Sequence, residues 1–478
     1  MSTAAPALER IDIALGDLQG EGWQARALSL SVALPGADGL GGDIRIEELV
    51  LPEPLGSLGA VKLRCDTLRH DAQGTRCIGR AEVARFLGEP LASPVTFDYA
   101  AAGGRLRVAL QDFRLAAGRW RLDAELEGGR WRVVAQGRGI DAAAARERLQ
   151  PFVPAFAYTL AGRVDLTATL SGVAAAVDGI DFALAATALD FANADGTQAA
   201  EKLDFNVAGR MSGRGADWQG DARVELRGGA LFVDPLYVEP TPQSPLRLAT
   251  RLHWAAASQR LRLTELTLDH AGVAQARADV QLRLAAATVV ESVDLELREA
   301  QLPGAYLNYI QPWLHGRIGD ALETAGRFSG RYRHTAGGDT ALRLTLHEVD
   351  IEDTGQRFGF AGLDGVIDWG SDAEARTTEL AWQAGSVYRL GLGAARLAVV
   401  SRGLEFALRE PARIPVLDGA LMIDELALSD PGADSMRWRF DGVLTPLSLE
   451  AVCAALDWPR FGGQLSGMIP QVRYADGV

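Results

Sequence analysis

Six histidines, three cysteines and a recurrent serine–glycine phrase are the residues from which this chain could build a reactive site. His347-Glu348 begins as a zinc-protease helix begins, with a ligand histidine followed by a general-base glutamate. That chemistry needs a second histidine four positions after the first, so that both imidazoles share one helical face, and Ile351 stands there instead. His70, His253, His270, His315 and His334 are scattered and read as strand or loop residues. The phrases Gly209–Gly213 (GRMSG), Gly326–Gly330 (GRFSG) and Gly463–Gly467 (GQLSG) put serine fourth. A nucleophile elbow puts it third, on a sharp turn from strand to helix. Asn193–Gly196 (NADG) lacks the alternating carboxylates and the closing glutamate of a calcium loop and reads as a hairpin turn. With no phosphate-binding loop, dinucleotide fingerprint or zinc spacing, no catalytic residue, metal ligand or cofactor is assigned, and the chain reads as non-enzymatic.

The cysteines leave two readings open. Cys65 and Cys77 flank a turn-like DAQG, so paired strands there could bring the thiols together, which would imply an oxidising compartment. The alternative is two half-buried free thiols, and spacing alone does not decide between them. Cys453 lies in a helical pattern and reads as a small core residue.

Nearly every other signal is strict alternation. In Trp120–Glu127, Trp120, Leu122, Ala124 and Leu126 share one face while Arg121, Asp123, Glu125 and Glu127 share the other. Gly128-Gly129 turns the chain, and Trp131, Val133 and Ala135 resume the apolar face as an antiparallel partner. The same period recurs at Val224 and Leu226, at Ala278, Val280, Leu282 and Leu284, and at Leu342, Leu344 and Leu346. Around Leu261–Leu268 the phase slips once, as a β-bulge or a strand break would cause. Trp369 and Trp382 fall in alternating strands and are expected to pack inward.

Helical pattern is confined to Asp141–Pro151, Pro303–Leu314 and Ser448–Trp458, with Asp141 and Ser448 as N-caps, Pro303 in a first turn and Pro312 weakening the second helix. These helices suggest segments at 1–138, 139–302, 303–446 and 447–478, the last the start of a C-terminal module. The net charge of −14, from 48 basic and 62 acidic residues, argues against a nucleic-acid partner. No apolar stretch approaches the ~20 residues of a membrane span, and Met1–Gly20 is no signal peptide. Strands with one apolar face each need cover, and three short helices are too few. From alternation alone, a sandwich or solenoid core answers that need.

The closing stretch, Leu417–Gly477, resembles the C-terminal region of YdbH-type AsmA-like proteins. In those a strand pair leads to a short helix ending in W-P, then a G-x-L-S-G-x-I/L-P phrase, matched here by Trp458-Pro459 and Gly463–Pro470. Arg10 to about Arg413 is similar in style, with long runs of amphipathic strands, and some relatives also carry a paired cysteine near the position of Cys65 and Cys77. The resemblance implies a mainly β fold: a long, curled, mostly antiparallel sheet forming an elongated groove of the repeating β-groove (β-taco) type, related to TamB. About 30 strands at roughly 4.8 Å each would give a groove on the order of 100–150 Å. It further implies a periplasmic bridge that passes phospholipids between inner and outer membranes, their acyl chains lying on an apolar groove. On that reading Leu122, Ala124, Leu126, Val133, Val224, Leu226, Ala278, Val280, Leu282, Leu284, Leu342, Leu344 and Leu346 line the groove. Relatives begin with an inner-membrane helix and run on to an end that meets an outer-membrane lipoprotein, so the chain is expected to be a fragment of such a protein. The competing expectation is a secreted structural or adhesive β-solenoid or β-sandwich with a dry core. An outer-membrane barrel is disfavoured by the 7% aromatic content and the interrupting helices.

Overall fold

The computed structural model describes residues 10–20, 23–36, 39–51, 56–150, 157–174, 176–285, 288–432 and 435–474. The fold is mainly β, with 74% of the chain in strands and 7% helical. The chain divides into two compact units, Met1–Val233 and Asp234–Val478.

In the first unit, thirteen strands from Arg10–Gly20 to Asp217–Val233 form a meander in which each pairs antiparallel with the next. The expected hairpin is present as Gly118–Glu127 and Arg130–Asp141, with Leu122 opposite Ala135 and Ala124 opposite Val133. The second unit holds a meander of its own from Leu246–Ala255 to Phe358–Gly370, again with each strand antiparallel to the next. There the ladder splits: Phe358–Gly370 pairs with both Arg376–Trp382 and Ala384–Val387. Trp382 sits beside the split, buried, edge-on to Phe360 at 5.4 Å, its indole N–H donating to the Gly393 carbonyl at 3.1 Å.

Each of the three helices lies between two strands that pair with each other. Helix α1 (Ala142–Leu149) lies between Arg130–Asp141 and Tyr158–Val173, which pair with each other. Helix α2 (Gln311–Leu314), preceded by a π turn at Tyr306–Ile310, lies between the paired strands Thr288–Gln301 and Leu322–His334. Helix α3 (Leu449–Leu456) lies between the paired strands Arg437–Ser448 and Gln464–Tyr474. Each helix therefore stands where a hairpin turn would stand, and the ladder closes beneath it. Asp141 caps α1 by accepting from Ala144 N at 2.8 Å, and Ser448 caps α3 by accepting from Ala451 N at 3.2 Å. Pro312 has no N–H to continue an α register from residue 308, and the chain takes the wider π turn just before it.

One device recurs across both units. Ala27, Gly139, Ala188, Lys202, Glu265, Glu348 and Gly362 have φ between 48° and 60°, and the N–H of each donates to an aspartate on a neighbouring strand. The acceptors are Asp17, Asp165, Asp204, Asp190, Asp279, Asp364 and Asp350, at 2.7 to 3.1 Å. A left-handed residue in a strand costs about 1–2 kcal/mol unless it is glycine, and the charge-assisted bond offsets that cost. The result is a bulge that bends its strand and inserts one residue. The expected slip near Leu261–Leu268 is such a bulge within Arg260–His270. Leu263 faces Val280 and Leu266 faces Ala278, so the leucines on either side stay on one face.

Asp279→Ala should lower the stability of the second unit by about 1 kcal/mol, read as a fall in its urea midpoint. Asp279→Asn keeps an acceptor for Glu265 N and should sit close to wild type. Equal losses in both variants would show that the bulge does not depend on this bond.

Candidate functional site

The apolar faces of consecutive strands fall into register. Cys77 lies opposite Phe97, which lies opposite Val108, and the row continues through Ala124, Val133, Leu170, Ile180 and Met211. A second row joins Leu166, Leu184, Val207 and Val224, and a third joins Ala186, Phe205 and Leu226. In the second unit Leu263, Val280 and Val293 align, as do Tyr332, Leu342 and Trp369. Where glycine interrupts a row, a large ring crosses the gap: Gly213 faces Trp218, and a Cβ there would sit 2.7 Å from the indole. At Gly209–Gly213 and Gly326–Gly330 the G-x-x-S-G phrase is thus strand, its glycines making room for cross-strand neighbours.

The opposite faces carry charge. Arg107 pairs with Glu125 at 2.8 Å, Arg331 with Asp294 at 2.9 Å, Arg343 with Asp368 at 2.6 Å, and Arg210 with Asp181, each across adjacent strands. Such exposed pairs contribute little stability but keep that face wet.

Of the thirteen residues expected to line a groove, Leu226 and Ala278 are buried, Leu126 is 40% exposed, and the other ten are half-buried. Fully packed positions gather in small clusters instead. Leu91, Phe113 and Leu115 form one in the first unit; Val349, Leu363 and Trp382 form another in the second. The accessible surface is 28815 Å². A compact monomer of this mass exposes about 17,000 Å², and two separate compact units of half the mass about 21,000 Å². The excess is what uncovered sheet faces produce.

Sequence reading missed a cavity of about 690 Å³ in the first unit. Its roof is α1, through Ala142, Ala145 and Leu149, and its floor is Leu160, Val164, Leu184, Leu189, Phe191 and Phe205. Arg146, Gln150, Tyr158 and Gln198 complete the lining. The roof was legible as residues at i, i+3 and i+7 on one helical stripe. The floor comes from three strands whose convergence depends on register.

The Cys65 and Cys77 sulfurs lie at bonding distance, 2.10 Å, with the Cα atoms 5.4 Å apart. The bond crosses diagonally between Ser57–Asp71 and Gly74–Phe86 on the apolar side, both cysteines buried. Cys453 is free and buried in α3.

Perturbed titrating groups serve structure. Asp353 is held down at about 2 by the Arg357 guanidinium and backbone N–H that close its turn. His270, buried, shares a 2.8 Å hydrogen bond with the Tyr309 hydroxyl beneath the π turn. Burial pushes Tyr309 up to about 12 and pulls His270 below 6.5, against the smaller upward pull of Asp269. Among the described residues no cluster of three His, Cys, Asp or Glu side chains could hold a metal, and no helix is long and apolar enough to cross a membrane. No family model matches the chain, and no curated protein matches it.

Because the folded His270 resists protonation, its share of stability is complete above about pH 6.5 and is lost as the pH falls below that value. The urea midpoint of the second unit should therefore decline from pH 7 to pH 5, and His270→Gln should flatten the decline. An unchanged slope in that variant would remove His270 from the pH response.

Proposed function

We propose that this chain is part of a lipid-conducting β-groove of the AsmA-like, YdbH-type class, passing phospholipids across the periplasm between inner and outer membranes. The observation that carries this reading is the set of apolar rows that cross strand after strand with most of their residues only half-buried. A dry-core solenoid or sandwich would bury them, and the excess accessible surface counts against that alternative.

Acyl chains laid along such rows replace the missing opposing layer, and burial of their methylenes drives them there at about 0.8 kcal/mol each. Rows of similar aliphatic residues offer no single deep minimum, so a chain slides from one position to the next. Polar head groups stay in water at the open side. No bond is made or broken. The Cys65–Cys77 bond fits an oxidising compartment, the periplasm among them. An inner-membrane anchor and an outer-membrane lipoprotein partner follow from the resemblance alone and belong to this proposal.

The test is photo-crosslinking in cells from a photoreactive residue placed at Val280 or Leu344, with Arg283 and Arg343 as controls on the charged face. Phospholipid adducts from the first pair and none from the second are expected. Absence of adducts at both apolar positions would overturn the proposal.

A further inference from the structure

The recess under α1 is roofed by a helix, unlike the half-buried rows elsewhere on the apolar face. Asp141 caps the helix directly from the end of one strand, and the next strand pairs back beneath it. The helix is thereby held over the start of Tyr158–Val173. Its inward stripe is small at Ala142 and Ala145, and these alanines leave the space that larger side chains would fill.

The recess is also polar at one end only. Arg146 donates to the Tyr158 carbonyl at 2.9 Å, and the Tyr158 hydroxyl bonds to Gln198. Gln150 lies one turn along the helix from Arg146, its N–H on the Arg146 carbonyl. From this polar end the floor runs along the strand to Val164, with Leu184 and Phe205 on the neighbouring strands. Tyr158 to Val164 spans roughly 20 Å, the extended length of a long-chain acyl group. The two arginines of α1 differ as well. Arg148 is engaged by Glu89 at 3.0 Å, whereas among the described residues no carboxylate lies within salt-bridge distance of Arg146.

We propose that this slot is a discrete binding site for one alkyl chain with an anionic head group. Arg146 receives the head, and Val164, Leu184 and Phe205 surround the far end of the chain. The inference rests on the lipid-carrying reading and adds to it a place where a chain stops and where head-group charge is read. A free fatty acid and an anionic phospholipid share the required chemistry.

The test is equilibrium binding of cis-parinaric acid and of its methyl ester to the full chain, read by fluorescence. The wild type should bind the acid saturably. Arg146→Met should weaken the acid about tenfold and the ester less than about twofold, and Arg146→Lys should restore most of the loss. Ala145→Leu and Leu184→Trp, each checked for folding by circular dichroism, should abolish binding of both probes. Displacement by palmitate but not by phosphatidylglycerol assigns the site to free fatty acids; displacement by phosphatidylglycerol assigns it to membrane lipid. Equal losses of acid and ester in Arg146→Met, or full binding in both slot-filling variants, would overturn the site. If binding fell instead in Val280→Trp alone, the slot would be refuted while the groove stood. If neither probe bound the wild type, both would fall.

Discussion

Everything in this molecule depends on keeping one face of each strand apolar over long stretches of chain. Side chains alternate with a period of two, so a single inserted residue throws the rest of a strand onto the wrong face. Long twisted strands must nevertheless bend, and bending requires bulges. The aspartate clamps reconcile these demands. An aspartate on the charged face, such as Asp279 between Ala278 and Val280, reaches to the neighbouring strand and holds a left-handed residue there. The bulge absorbs its extra residue locally, and the apolar rows pass through it unbroken. The polar face is therefore more than a solvated surface, because it sets the geometry of the greasy one.

The helices act on the same rows in a different way. Each occupies the turn position of a hairpin, so none interrupts the ladder. Around the π turn before α2, Ala305 joins Val273, Ala274 and Ala300 in a small packed cluster, with Tyr309 against it. Helix α1, whose inward stripe is mostly alanine, covers its strands loosely and leaves a slot. Two connections in the same topological position thus differ, one packed against its strands and one leaving a slot.

Much of this was legible in the residues. The hairpin around Gly128-Gly129, the caps at Asp141 and Ser448, and the slip near Leu261–Leu268 follow from alternation and capping chemistry, which act within a few residues. The clamps were not recognised, although apolar–Asp–apolar triplets such as Leu189-Asp190-Phe191 and Leu203-Asp204-Phe205 are visible in the sequence. Their meaning lies in a partner on another strand. The slot under α1 was missed for the same reason, since Leu160, Leu184 and Phe205 meet only once the register of three strands is fixed.

The central claim is that lipid takes the place of a second layer over the apolar rows. Native mass spectrometry of the chain exported to the periplasm behind an added signal peptide and purified without detergent tests it most directly. Several phospholipid molecules retained per chain are the predicted result, lost together when the apolar rows are made polar at Val133, Val224 and Val280. A folded, lipid-free monomer with the same accessible surface would contradict the account.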